Sequence, residues 1–165
     1  MDFERILAEL EDTGVEYIVV GGAAMAIQGS ARLTQDLDLL YRRSPENFAR
    51  LSAALRKMNA RLRVLGEPQG LRASLDPQML AAGMNFTFAT DLGDLDIFGE
   101  IPGMGKYENA VAGSEEHEIL EGARPIRTLS IESLIATKKA AGRAKDLDAI
   151  PELEAMRELR DAGQP

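Results

Sequence analysis

The chain has 165 residues, 45% apolar and 28% charged, and its 27 acidic against 19 basic side chains give a formal net charge of −8. That is the balance of one globular domain, taken here as residues 1–165. With no cysteine and one histidine, disulfides, thiol catalysis, cysteine-ligated zinc and a multi-histidine metal site within one chain are excluded. No apolar run reaches the roughly 18 residues that a membrane helix needs. Residues 1–11 carry the charges of a surface helix rather than of a signal peptide. The expected location is therefore the cytoplasm, with no membrane partner.

In chain order, Phe3, Ile6, Leu7 and Leu10 recur at helical spacing, and Gly14 follows as a stop signal. Residues 15–20 form a compact β-rich run that ends at Gly21-Gly22, and 23–28 predict a short helix closed by Gly29. Residues 36–41 alternate acid with apolar, a strand pattern. Ser44-Pro45 supplies an N-cap and a first-turn proline for a helix to about Met58, with Phe48, Leu51 and Leu55 inward. A strand is predicted over 61–65 and a helical turn over 77–82. Two further strands, 85–89 and 95–98, are joined at 91–94, and Met79 and Met84 read as core filler. A second hairpin is predicted from 118–120 and 125–129 around Glu121-Gly122. Ser130 caps a helix to about Ala141, Gly142 ends it, and 146–160 are helical again, with Pro151 as a break or a new first turn. Strands and helices mix without regular βαβ alternation, so the fold class is a mixed-sheet α/β or α+β domain.

Asp36 and Asp38 are two residues apart, so on a strand both carboxylates face one side, with Cβ atoms roughly 7 Å apart. Leu37 and Leu39 then face the core. Two unit charges at that separation repel by roughly 2 kcal/mol at an effective dielectric of 20. A bound Mg²⁺ is a natural compensation, because it takes hard oxygen ligands and keeps open positions for phosphate. Taken alone, D-x-D is more often an acid-decorated strand edge. Asp94 and Asp96 repeat the pattern in G-D-L-D-I-F. Asp96, between Leu95 and Ile97, reads as a third carboxylate suited to metal binding or acid–base work. Asp94, after Gly93, reads as a turn cap.

Gly21-Gly22 follows an apolar strand and opens a helix, where glycine lets backbone approach a ligand and free N–H groups can meet phosphate. It is neither a Walker A loop nor G-x-G-x-x-G. Arg32 and Thr34 lie in the loop just before the acidic strand, a position that suits Arg32 equally to meet a triphosphate or to stand as a solvated loop arginine. Lys138, Lys139, Arg143 and Lys145 put four cations within eight residues. Lys138 falls on the inward face marked by Leu134 and Ile135, whereas Lys139 rotates toward solvent. The cluster is also what a helix C-terminus ordinarily carries, and Lys145-Asp146 reads as a local ion pair. His117, between Glu116 and Glu118, reads as a surface residue. Ser30 and Ser133 lack a histidine partner, so a Ser-His-Asp triad is unsupported.

Taken jointly, V-V-G-G-A-A, thirteen residues, D-L-D-L and a later L-D-I resemble the nucleotidyltransferase superfamily of DNA polymerase β-like fold. G-G-x-A at residues 21–24, R-x-T-x-D-x-D at 32–38 and the late helix block at 134–146 resemble the small bacterial AbiEii-like and DUF6036-type enzymes more closely. The likeness covers residues 15–150. It implies a mixed sheet flanked by helices, with C-terminal helices. It also implies that Gly21 and Gly22, with Arg32 and Thr34 nearby, hold nucleotide phosphates, and that Asp36 and Asp38 ligate Mg²⁺. Asp96 would complete the metal site or activate the acceptor hydroxyl, and Lys138 would contact phosphate or support the site. The implied reaction transfers a nucleoside monophosphate from a nucleoside triphosphate to an acceptor hydroxyl on RNA, protein or a small molecule. The family also suggests a toxin with a cognate antitoxin, or a homo-oligomer. The competing expectation is a non-catalytic nucleotide-binding or antitoxin-like module on the same fold. An intact acid set favours the enzyme.

Overall fold

The computed structural model describes residues 2–163. Helix α1 (Phe3–Asp12) is capped by the Asp2 side chain, which accepts from the Arg5 amide, and it buries Ile6, Leu7 and Leu10. Strand β1 (Tyr17–Val20) runs directly into α2 (Gly21–Ile27), and β2 (Asp36–Tyr41) follows. Helix α3 (Pro45–Lys57) begins at the Ser44 cap with proline in its first turn. Then come β3 (Arg61–Val64), β4 (Glu67–Leu71), α4 (Pro77–Ala82), β5 (Asn85–Thr90) and β6 (Gly93–Phe98). A two-stranded unit, β7 (Glu100–Ile101) with β8 (Gly105–Lys106), leads through the short α5 (Tyr107–Ala110) and a 3₁₀ turn to β9 (Ser114–His117). Strand β10 (Ile126–Leu129) and helices α6 (Ile131–Ala141), α7 (Ala144–Leu147) and α8 (Ile150–Asp161) complete the order.

Eight strands form one mixed sheet in the order β4-β3-β5-β6-β2-β1-β10-β9. The pairs β2/β6 and β1/β10 are parallel, and the other pairs are antiparallel. Alternation along β2 and β6 sends Leu37, Leu39, Leu95 and Ile97 to one face, and all four are buried. They join Ile6 and Leu10 of α1, Leu51 and Leu55 of α3 and Leu80 of α4 in one apolar core. The same alternation sends the acids to the opposite face. There α2 lies against β1 and β2, and α6 packs on α2, α7 and α8. Among the described residues, no helix is long and apolar enough to cross a membrane.

Several local expectations are corrected. The second hairpin pairs Ser114–His117, not 118–120, with Ile126–Leu129; the apolar pair Ile119-Leu120 packs against the core from the connection instead. The last helical stretch does break as expected, with Pro151 in the first turn of α8, but its first part begins at Ala144 rather than at 146. Met84 is 41% exposed rather than core filler, while Met79 does pack against the core. Strand β4 is absent from the sequence reading, because an edge strand containing Pro68 and Gly70 carries no apolar alternation.

Candidate active site

Strands β2 and β6 run parallel with Asp36 beside Asp94 and Asp38 beside Asp96. Asp36, Asp38 and Asp96 each present a carboxylate oxygen, and the three atoms lie within 4.8 Å of one another. Full charges 4.8 Å apart repel by roughly 3 kcal/mol per pair at an effective dielectric of 20. Asp38 registers this. Burial, followed by the charges of Asp36 and Asp96, pushes its carboxyl up to about 7, against the pull of Lys138 and the facing Gly22 backbone N–H. Burial also raises Asp96, opposed by Arg63 and reinforced by Asp36 and Asp94. Clustered hard oxygen donors with surplus negative charge fit a divalent cation such as Mg²⁺.

The glycine pair closes over this cluster. Helix α2 starts at Gly21 itself, two residues earlier than expected, with φ of 61°. A Cβ on Gly21 would sit 2.1 Å from Asp38 Oδ2, and one on Gly22 would sit 2.7 Å from Thr34 Oγ1. Neither position has room for a side chain. The Thr34 hydroxyl lies 3.1 Å from the Asp36 carbonyl oxygen and 3.2 Å from its Oδ1, donating between them. Thr34 therefore braces the acidic strand from its position beside the glycines.

The cations divide by partner. Lys138 is mostly buried and donates to Asp146 Oδ1 at 2.9 Å, while Lys139 is 58% exposed and points to Glu154. The helix is phased as its apolar residues predict. Asp146 is 1% exposed and pairs with Lys138 and with Arg143 Nε at 2.5 Å, not with Lys145 as its neighbour in sequence. Burial works to raise its carboxyl, but the hydrogen bonds from Arg143 and Lys138 outweigh it and hold the group below the ordinary carboxylate range. Arg32 lines the cleft, yet its guanidinium is held by Glu152 at 2.5 Å and donates to the Asp148 carbonyl at 2.8 Å. The expectation that Arg32 faces a triphosphate meets a side chain tied to α8.

Together these groups line one open cleft of about 730 Å³. The glycine pair, the three acids, Lys138, Arg143 and Lys145 line it together with Asn85, Phe98 and Glu100. Residues 5–149 match the family model described as "Nucleotidyl transferase AbiEii toxin, Type IV TA system".

The chain belongs to this AbiEii nucleotidyltransferase family. It is similar in fold to the crystal structure of ANT(2'')-Ia in complex with adenylyl-2''-tobramycin, at 19% identity and a TM-score of 0.56, over 97% of this chain and 93% of that one. It is likewise similar to the solution structure of the antibiotic-resistance factor ANT(2'')-Ia, at 16% identity and a TM-score of 0.53, over 97% and 89% of the two chains. No curated relative matches the sequence. In this AbiEii chain two residues beside the acid cluster emerge from the structure rather than from the sequence. Asp94, expected to cap a turn, stands in β6 and accepts from Arg63 at 2.7 Å. Arg63 also donates to Asp96 Oδ1. The available signal was the alternation R-L-R-V at residues 61–64, a strand with a cationic face that needs an acidic neighbour.

Proposed function

We propose that the chain is a cytoplasmic, Mg²⁺-dependent nucleotidyltransferase that moves a nucleoside monophosphate from a nucleoside triphosphate to an acceptor hydroxyl, as the toxin of a pair held in check by a cognate antitoxin. The observation that carries this reading is the convergence of Asp36, Asp38 and Asp96 within 4.8 Å beside the glycine pair. A divalent cation held by those three carboxylates would neutralise phosphate charge and favour the ionised acceptor oxygen. The acceptor oxygen attacks the α-phosphorus, the bond from that phosphorus to the bridging oxygen of the β-phosphate breaks, and pyrophosphate leaves. A carboxylate of the cluster takes the hydroxyl proton. Gly21 and Gly22, packed without a side chain against Asp38 and Thr34, let the start of α2 sit close beside the acids, so that this turn of main chain borders the phosphates. Lys138, held by Asp146, supplies a point charge to the same cleft. Arg32 and Thr34 hold the loop before the acidic strand and border the phosphate end of the cleft.

Incubating the protein with each of four α-³²P-labelled nucleoside triphosphates, Mg²⁺ and cell extract tests the proposal. Label should pass to RNA, protein or a small molecule, and the fraction that carries it names the acceptor class. Asp36→Ala should abolish the transfer, and cells expressing that variant should grow where expression of the unaltered toxin without its antitoxin arrests them. Absence of transfer to any fraction by the unaltered protein overturns the reading.

A further inference from the structure

Arg63 reaches the acid cluster from two strands away. Strand β3 pairs with β5, and β5 with β6, so the guanidinium must cross β5 to meet Asp94 and Asp96. Adjacent strands lie about 4.8 Å apart, so the crossing spans roughly 10 Å, near the full reach of an arginine. The sequence leaves the path open. Ala89 stands opposite both Arg61 and Asp94, and Thr87 opposite Asp96, so the residues of β5 on this face are small. At the far end the fork closes on two carboxylates, Nη1 on Asp94 Oδ2 at 2.7 Å and Nη2 on Asp96 Oδ1. Asp36 and Asp38 receive no hydrogen bond from it among the described residues.

The geometry points to Arg63 as a positioning residue. By gripping Asp94 and Asp96 at once it fixes the orientation of the Asp96 carboxylate, and so the third corner of the acid cluster, while touching neither nucleotide nor metal. This role rests on the metal-binding reading of the cluster given above. A planar, two-pronged donor constrains a carboxylate in a way that a point charge cannot. Asp94 is then the anchor that keeps the fork in register, which gives a purpose to the acid that stands beside Asp36 without joining the three-carboxylate cluster. With one Asp96 oxygen committed to Arg63, Asp96 presents a preset ligand instead of a freely turning one.

A double-mutant cycle on Mn²⁺ affinity tests the role without needing an acceptor. Calorimetric titration of the whole protein with Mn²⁺ is compared for wild type, Arg63→Ala, Asp96→Asn and the double variant. Loss of an outer partner of a metal ligand weakens metal binding by about tenfold, and that is the expected loss for Arg63→Ala. In the Asp96→Asn background the same substitution should change affinity by less than about twofold, because the coupling runs through Asp96. Arg63→Lys keeps the charge but not the fork and should recover only a minor part of the loss. In pyrophosphate release, Arg63→Ala should lower kcat with the nucleotide KM unchanged. Unchanged or tighter Mn²⁺ binding by Arg63→Ala overturns the role, because removing a nearby cation does that by charge alone. An equal loss in both backgrounds, or full rescue by lysine, also overturns it. Should Arg63→Ala fail to fold, Asp94→Asn removes one prong and carries the same cycle. If wild type binds Mn²⁺ and the cycle is coupled but no label is ever transferred, the proposed reaction fails while this role stands.

Discussion

Asp38 is at once a proposed ligand and a source of strain. Its carboxyl sits near Asp36 and Asp96, and burial with their charges pushes it up to about 7. Asp38→Asn removes a hard anionic donor and one repelling charge together. Mg²⁺ affinity should fall by at least about tenfold, while the metal-free protein melts at the same temperature or slightly higher at pH 8. Calorimetry and thermal melts check the two halves separately, and equal Mg²⁺ affinity would remove Asp38 from the metal site. The two lysines of α6 give a second contrast. Lys138 is 17% exposed and Lys139 58%, and only Lys138 lines the cleft. Lys138→Ala should weaken nucleoside triphosphate binding by about fivefold or more, while Lys139→Ala stays within about twofold, as expected for an exposed ion pair. At this scale the acids and the lysine phase were legible, because alternation and helical spacing fix the direction of each side chain from sequence alone. The pairings of Arg63 with Asp96, 33 residues on, and of Arg32 with Glu152, 120 residues on, were not. Nothing local in R-L-R-V or R-L-T names the distant carboxylate that each arginine will find.

At the scale of elements, the glycine pair shows how sequence and site are coupled. Gly21 adopts a left-handed backbone beneath the Asp38 carboxylate, where a methyl group has no room. Gly122 is a useful control, since its φ is 74° but nothing lies within 4 Å of an added Cβ. Gly122→Ala should cost only the backbone strain, about 1 kcal/mol, and leave metal binding unchanged. Gly21→Ala carries that strain and also displaces Asp38, so it should lower the melting temperature further and weaken Mg²⁺ binding as well. Comparing the two variants by melting and calorimetry separates strain from steric displacement. Strands and helices with strong periodicity, such as α1, β2, α3, β6 and α6, were legible because each buries one face against the same core. Strand β4 and the short β7/β8 unit were not, since their pairing is decided by neighbouring backbone rather than by an apolar face of their own. The start of α2 at Gly21 was not legible for a related reason. Glycine has low helix propensity, yet here the close approach of Asp38 and Thr34 overrides it.

For the whole molecule, one sheet separates two kinds of work. One face buries Leu37, Leu39, Leu95 and Ile97 against α1, α3 and α4, and the other assembles carboxylates that repel. The apolar face therefore holds together what the acidic face pushes apart, and that opposition gives stability a definite dependence on pH. In the unfolded chain Asp38 has an ordinary carboxylate pKa of about 4, and in the metal-free fold it titrates at about 7. Between those values the folded state holds a proton that the unfolded state has released. The contribution of this group is fully present below the unfolded value and is lost as pH rises through the folded one. Asp96 is raised as well and acts in the same direction. Asp146 acts oppositely: its lowered carboxyl contributes stability above the ordinary value and loses it only as pH falls through the folded one, below the window that concerns Asp38. The metal-free protein should therefore melt at a higher temperature at pH 5 than at pH 8. Mg²⁺ selects the ionised cluster, so the rise in melting temperature that it produces should grow from pH 5 to pH 8. Asp38→Asn should flatten both trends. Scanning calorimetry at the two pH values, with and without Mg²⁺, reads all three outcomes, and a metal-free protein more stable at pH 8 than at pH 5 would mean that these acids do not carry the strain their spacing implies.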